Sequence, residues 1–218
     1  MLALQAVGVN TLDSSVFLWL NLGRDAPEAL VWLAMACSRW LPAALLTALV
    51  PLAALGGPRG RRTVWLALLG MGLAWAAAAL LKHSVAAPRP FMLGLGTEWL
   101  GHSGGNGFPS SHAAVAMAFA VSMAVGQWRS PWRAAAVLCG LLVGWSRIAL
   151  GVHFPSDVLA AALLGTACAC GCTGWPGACA RSRGRHSGAA KKAPQPTRQI
   201  CSMLVPPGAP MGSPQVMA

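Results

Sequence analysis

The chain has 218 residues, 56% of them hydrophobic and only 10% charged, with a formal net charge of +11 at pH 7. A water-soluble domain carries about a quarter charged residues, so this balance excludes a fold whose whole surface meets water. The basic excess does not call for nucleic acid, because the arginines and lysines gather beside apolar runs and in a tail.

In chain order, residues 12–22 (LDSSVFLWLNL) are too few to cross a bilayer and are expected as an interfacial or packed helix. No Lys or Arg precedes Arg24, so this N-terminus does not read as a secretory signal. Pro27 and Glu28 suit a helix start, and a first span is expected over 29–55, stopping at Gly56-Gly57-Pro58. Arg39 lies inside that segment and is expected to snorkel toward an interface, which would place the true crossing nearer 38–56. Further spans are expected at 63–82, 111–127, 132–149 and 156–174. Roughly 20 apolar residues cross the hydrocarbon core as a helix, whereas an open sheet would leave its edge unbonded in lipid. The expected fold class is therefore all-α: a polytopic membrane helix bundle of about five spans plus the short N-terminal interfacial helix.

Two domains follow from composition. Residues 1–176 read as the membrane-embedded part, and 177–218 as a basic, Pro/Gly-rich tail expected to be disordered and cytoplasmic. Seven cysteines make an odd count, four of them in CACGCTGWPGAC (168–179). That run lacks a paired C-x2-C and ends an apolar helix, so it reads as small apolar residues rather than as a zinc site or disulfides.

Charge gives an expected orientation. Arg59, Arg61 and Arg62 lie in one connection, Arg129 and Arg133 in another, and Arg181, Arg183, Arg185, Lys191 and Lys192 in the tail. With five spans all three fall on one side, which the positive-inside rule makes cytoplasmic. The opposite connections, 83–110 and 150–155, are bordered by Lys82, Arg89, Ser110, Ser111, His112, Arg147, His153 and Asp157. Nearly every polar group with chemical potential thus collects on the outer face.

Three segments carry it. KHSVAAPRP (82–90) closes a span with Lys82 and sets Arg89 seven residues on. FPSSH (108–112) puts Pro109 at an expected first helical position and Ser110, Ser111 and His112 in the first turn, where free N–H groups favour an anion. SRIALGVHFPSD (146–157) holds Arg147, then His153, then Asp157 just past the helix-starting Pro155, within reach of the imidazole. A histidine oriented by a carboxylate suits an activated base or nucleophile. Taken singly, these segments also suit a snorkelling pair, a plain helix cap and a structural His–Asp pair.

Together, Lys-x6-Arg-Pro, Pro-Ser-x-His and Ser-Arg-x5-His-x3-Asp, in that order and each at a span end, resemble the type 2 phosphatidic acid phosphatase superfamily over residues 82–157. One departure is that Ser111 stands where the second motif often has Gly. The resemblance implies that His153 attacks phosphorus to form a phosphohistidine and that Asp157 orients its ring. It further implies that His112 protonates the leaving oxygen and then activates water. Lys82, Arg89 and Arg147, with Ser110 and the main-chain amides of Ser111 and His112, would hold the equatorial oxygens. No cofactor or metal is expected. The five acidic residues, Asp13, Asp25, Glu28, Glu98 and Asp157, form no carboxylate cluster for Mg²⁺ in the sequence.

Within that superfamily, APRPFMLGLGTEWLGHSGGNGFPSSHAAVAMAFA looks most like bacterial undecaprenyl-diphosphatases of the bacitracin-resistance type. This implies a polyprenyl diphosphate substrate, a plasma-membrane location and recycling of the carrier lipid for cell-wall polymers. Membrane lipids are the other expected partners. Glu98, Trp99 and His102 are candidates for headgroup contact, although a loop Trp near a headgroup is more often an interfacial anchor. A phospholipid or lipid A phosphatase, acting for example on phosphatidic acid or phosphatidylglycerol phosphate, would share every one of these catalytic residues. A transporter would also place ionisable groups at span ends, but no internal repeat is visible. Soluble vanadium haloperoxidases share the oxyanion constellation, and the apolar spans argue against one.

Overall fold

A computed structural model describes residues 10–102, 104–126 and 130–174. Its helices are α1 (Thr11–Leu20), α2 (Glu28–Arg39), α3 (Leu41–Leu55), α4 (Gly57–Ser84), α5 (Ser111–Val125), α6 (Ser130–Ala149) and α7 (Pro155–Thr173), with a 3₁₀ turn at Pro90–Leu93. No strand occurs among the described residues, and the fold is the all-α bundle expected.

By length and apolar character α4, α6 and α7 can each cross a membrane, and α2 with α3 forms a fourth candidate bent by 49°. The protein is a multi-pass membrane protein. Exposed Trp65, Trp75, Leu80, Leu141, Leu159 and Leu163 cover the outside of the bundle, where lipid rather than water is the compatible solvent. The remaining expected span, α5, has 15 residues, about 22 Å of helix at 1.5 Å per residue. It sits among α4, α6 and α7 rather than on the rim. A central helix shielded by its neighbours need not match the hydrocarbon thickness.

Small residues let these helices approach. Ala113, Ala114, Ala116, Ala118 and Ala120 of α5 are buried, and a Cβ built on Gly165 of α7 would collide with the Ala114 carbonyl. Lipid tails are as apolar as leucine, so close backbone packing rather than water exclusion holds such helices together.

Three boundaries differ from those expected. The first span is not one helix. It breaks at Trp40, because Pro42 has no N–H to give the Ser38 carbonyl and its ring crowds that turn. Arg39 ends α2 and is exposed. Second, Arg59, Arg61 and Arg62 lie not in a loop but within α4, which starts at Gly57 directly after Gly56. Charge marks where lipid ends, and a helix can continue past that point. Arg133 likewise belongs to α6, while Arg129 and the tail from 175 lie outside the described residues. Third, Pro109 is not the first helical residue. Ser110 is the N-cap, Ser111 opens α5, and Pro109 follows a cis Phe108–Pro109 bond.

The short helix α1 is packed on one face and exposed on the other. Phe17 is fully buried against Ile148 and Phe154, its ring edge-on to Phe154 at a centroid distance of 5.5 Å, while Leu18 and Trp19 are exposed. Asp13 accepts hydrogen bonds from the main-chain N–H and hydroxyl of Ser156, fastening α1 to the first turn of α7. Cys168, Cys170 and Cys172 are free cysteines on α7, and Cys179 lies outside the described residues.

Candidate active site

Antiparallel packing brings the C-terminal ends of α4 and α6 and the N-terminal ends of α5 and α7 to the same end of the bundle. Lys82, His112, Arg147 and Asp157 arrive there on four different helices. Their charges act on one another: Lys82 feels Arg89, Arg147 and Asp157, and His112 feels Arg147, His153, His102 and Lys82. All eight site residues expected from the sequence therefore meet at this end, Ser110 and Ser111 through the cap of α5.

The α6–α7 turn is built to hold His153. The Arg147 carbonyl accepts the N–H groups of Val152 and His153 at 3.2 and 3.3 Å. Gly151 turns the chain at φ +79°, and a Cβ there would collide with the Thr97 carbonyl. Only glycine combines that conformation with that approach. Asn21 braces the same turn from the α1 side, donating to the carbonyls of Thr97 and Ala149 at 3.0 and 3.1 Å and accepting the Thr97 N–H at 2.7 Å.

His153 is 2% exposed, with Nδ1 3.5 Å from Oδ2 of Asp157. That is an ion-pair distance, longer than a hydrogen bond; catalytic hydrogen bonds commonly tighten when substrate binds. The same Oδ2 accepts the Phe154 N–H at 3.0 Å, which fixes the carboxylate in the first turn of α7. Burial pushes the His153 imidazole down to about 4, with the Arg147 charge adding to burial and Asp157 opposing it. The ring is thus neutral at pH 7. With Nδ1 turned to the carboxylate, Nε2 is the free lone pair.

Arg147 is 3% exposed; its Nη1 donates to Ser38 Oγ of α2 at 2.6 Å. Arg89 donates through Nε to the Gly105 carbonyl at 3.3 Å. Asn106 donates to the Lys82 carbonyl and accepts the Ala87 N–H, tying the end of α4 to the loop that precedes α5. Among the described residues six buried side-chain polar atoms have no hydrogen-bond partner, and four belong to this cluster: Arg89 Nη1, Ser110 Oγ, Arg147 Nε and His153 Nδ1. Buried polar groups are nearly always paired, so such a concentration at one spot is the mark of a binding site. Three of the four are donors suited to an oxyanion.

The loop candidates divide. Trp99 is half-buried: its Nε1 donates to the Leu22 carbonyl at 2.8 Å and its ring packs beside Leu22 and Leu150. Glu98 accepts the His102 N–H. His102 reaches inward to Arg147. Ser38, Asn21 and Asn106 carry no motif, and sequence reading passes over them. A groove of about 620 Å³ lined by Leu12, Val16, Val85, Phe108 and Leu159 also reaches Asp157. Its lining contains none of Lys82, Arg89 and Arg147, so it lies off the cationic cluster.

Residues 63–181, more than half of the chain and including all three motifs, match the family model described as the PAP2 superfamily. The chain belongs to the PAP2 superfamily. Over 72 residues it is 38% identical to the undecaprenyl-diphosphatase BcrC of Bacillus subtilis, covering 33% of this chain and 36% of that protein. Over 93 residues it is 32% identical to a lipid A 1-phosphatase of Rhizobium etli, covering 40% of this chain and 39% of that protein. The chain thus spans less than half the length of these relatives in each match. The crystal structure of Aquifex aeolicus LpxE superposes with a TM-score of 0.62 at 24% identity, over 76% of this chain and 97% of that one, a likeness of fold.

Proposed function

We propose that this PAP2 protein is a membrane lipid phosphatase that removes a terminal phosphate through a phosphohistidine on His153, and that its substrate is undecaprenyl diphosphate. The carrying observation is a neutral, buried His153 beside Asp157, surrounded by Lys82, Arg89, Arg147 and His112. In the first step Nε2 gives its lone pair to phosphorus while the bond to the leaving oxygen breaks, and His112, brought to its protonated form when the bound phosphate's negative charge offsets the neighbouring cations, donates that proton to the leaving oxygen. In the second, His112 takes a proton from water, the water oxygen attacks phosphorus and the P–N bond breaks, releasing inorganic phosphate and restoring both histidines. Lys82, Arg89, Arg147 and Ser110 neutralise the equatorial oxygens, because phosphoryl transfer needs positioning and charge neutralisation more than covalent help.

The likeness to BcrC supports the polyprenyl diphosphate, and the likeness to the lipid A 1-phosphatase favours lipid A as the second reading. Purified protein in detergent should release phosphate from C55 diphosphate faster than from lipid A or phosphatidic acid, with EDTA present, and vanadate should inhibit as a transition-state mimic. Faster release from lipid A would select the second reading. Activity that disappears with EDTA and returns with Mg²⁺ would overturn the mechanism.

The arginines at the start of α4 support a cytoplasmic position for that end of the bundle, and with it the reading that the site faces outward from a bacterial plasma membrane with the C-terminus inside. In a variant without native cysteines, Gly104→Cys should react with an impermeant maleimide on intact spheroplasts. Ser187→Cys, beyond the described residues, should react only after lysis. The reverse pattern would turn the site to the cytoplasm and remove an outer-leaflet carrier lipid as substrate.

A further inference from the structure

Arg147 is a buried guanidinium with five N–H donors and no acceptor, so its orientation is set by whichever groups accept from it. Nη1 is taken by Ser38 Oγ at 2.6 Å, and Nη2 lies 3.3 Å from His102 Nε2. Ser38 comes from α2 and His102 from the loop between α4 and α5, so the two anchors reach the fork from separate elements. Nε has no partner. The geometry points to His102 as a positioning residue that accepts from Arg147 at Nε2 and so fixes the guanidinium plane against the transferring phosphoryl group. This rests on the phosphatase reading above.

The chemistry of the contact dictates the state of the ring. A guanidinium only donates, so Nε2 must carry a lone pair and the proton of neutral His102 must sit on Nδ1. Protonation would set two donors face to face and add another positive charge to the cluster. The surroundings hold the ring neutral: burial lowers its pKa, Arg147, Arg89 and Lys82 lower it further, and Glu98 opposes them. His112, on the first turn of α5, also faces it. Glu98 contributes a second way, since its carboxylate accepts the His102 main-chain N–H and steadies the loop. With Nη1 and Nη2 each held, Nε and the remaining N–H groups keep one direction, and the unpartnered Nε is a donor available to a phosphate oxygen.

The test compares His102→Ala with His102→Gln in purified, detergent-solubilised protein. Glutamine supplies a carbonyl oxygen able to accept from Nη2 in place of Nε2, whereas alanine supplies nothing. Misplacing a catalytic group by about 1 Å costs about 100-fold in rate, so His102→Ala should lose about that factor, mainly in kcat, and bind vanadate more weakly. His102→Gln should recover most of the rate and of the vanadate affinity. The inference is overturned if His102→Ala keeps wild-type kinetics. A glutamine variant with the wild-type gel-filtration profile and thermal midpoint that is as slow as alanine, or inactive where alanine does not fold, overturns it equally. His153→Ala separates this from the underlying reading. If wild-type protein releases no phosphate, or His153→Ala releases it normally, the phosphatase reading fails; if both behave as expected and His102→Ala is unimpaired, only the positioning role fails.

Discussion

His153→Ala should release no phosphate above background, and Asp157→Asn should turn over on the order of 10⁴-fold more slowly, the loss seen when an orienting carboxylate is removed from a catalytic triad. Both variants should fold. His153 makes its structural hydrogen bond through the main chain, to the Arg147 carbonyl, which alanine retains. In Asp157→Asn an amide oxygen can still accept the Phe154 N–H. What the amide cannot do is hold the charge that stabilises the imidazolium character developing as Nε2 bonds to phosphorus. The pH profile follows from the same residue. Burial pushes His153 down to about 4, below the usual value of about 6.5, so the neutral nucleophile is lost only as pH falls through that lower value. From about pH 8 down to about pH 5, kcat/KM should show no limb belonging to His153. Normal phosphate release by either folded variant would remove His153 from the role of nucleophile.

Much of the cluster was legible because its residues come in short runs at helix ends, where sequence proximity and spatial proximity coincide. Lys82 closes α4, His112 opens α5, and the run from Arg147 to Asp157 covers the end of α6, the turn and the start of α7. Antiparallel packing of apolar helices then has few ways to keep them apart. The supports of the cluster were not legible. Ser38 reaches Arg147 across 109 positions and Asn21 braces the α6–α7 turn across 128, and neither residue type at those sites differs from an ordinary buried serine or a helix-capping asparagine. The partner of Trp99 was equally hidden: its N–H goes to the Leu22 carbonyl, 77 positions away. Helix limits were read from charge and apolarity, which report the lipid boundary. Proline and cap geometry set the true ends, hence the break before Pro42 and the start of α4 at Gly57.

Arg147→Lys should cost about 10²–10³-fold in kcat, the range for losing one preorganised donor to a developing oxyanion, although it keeps the charge. The reason is geometric. The guanidinium is a rigid fork, gripped at Nη1 by Ser38 and at Nη2 by His102, with Nε still to spare. An ammonium is a single point on a flexible stem, so a lysine reaching Ser38 could not also offer a donor where Nε stands. If Arg147 supplied only bulk positive charge, Lys82 and Arg89 would cover much of the loss and lysine would be nearly neutral. The backbone role of the residue is unaffected, because the carbonyl that accepts from Val152 and His153 remains in any substitution. KM should rise less than kcat falls, since the fork is matched to the trigonal bipyramidal arrangement rather than to the resting phosphate. A folded Arg147→Lys protein with kcat within a few-fold of wild type would show that charge alone suffices at this position. It would also remove the reason for His102 and Ser38 to hold the fork.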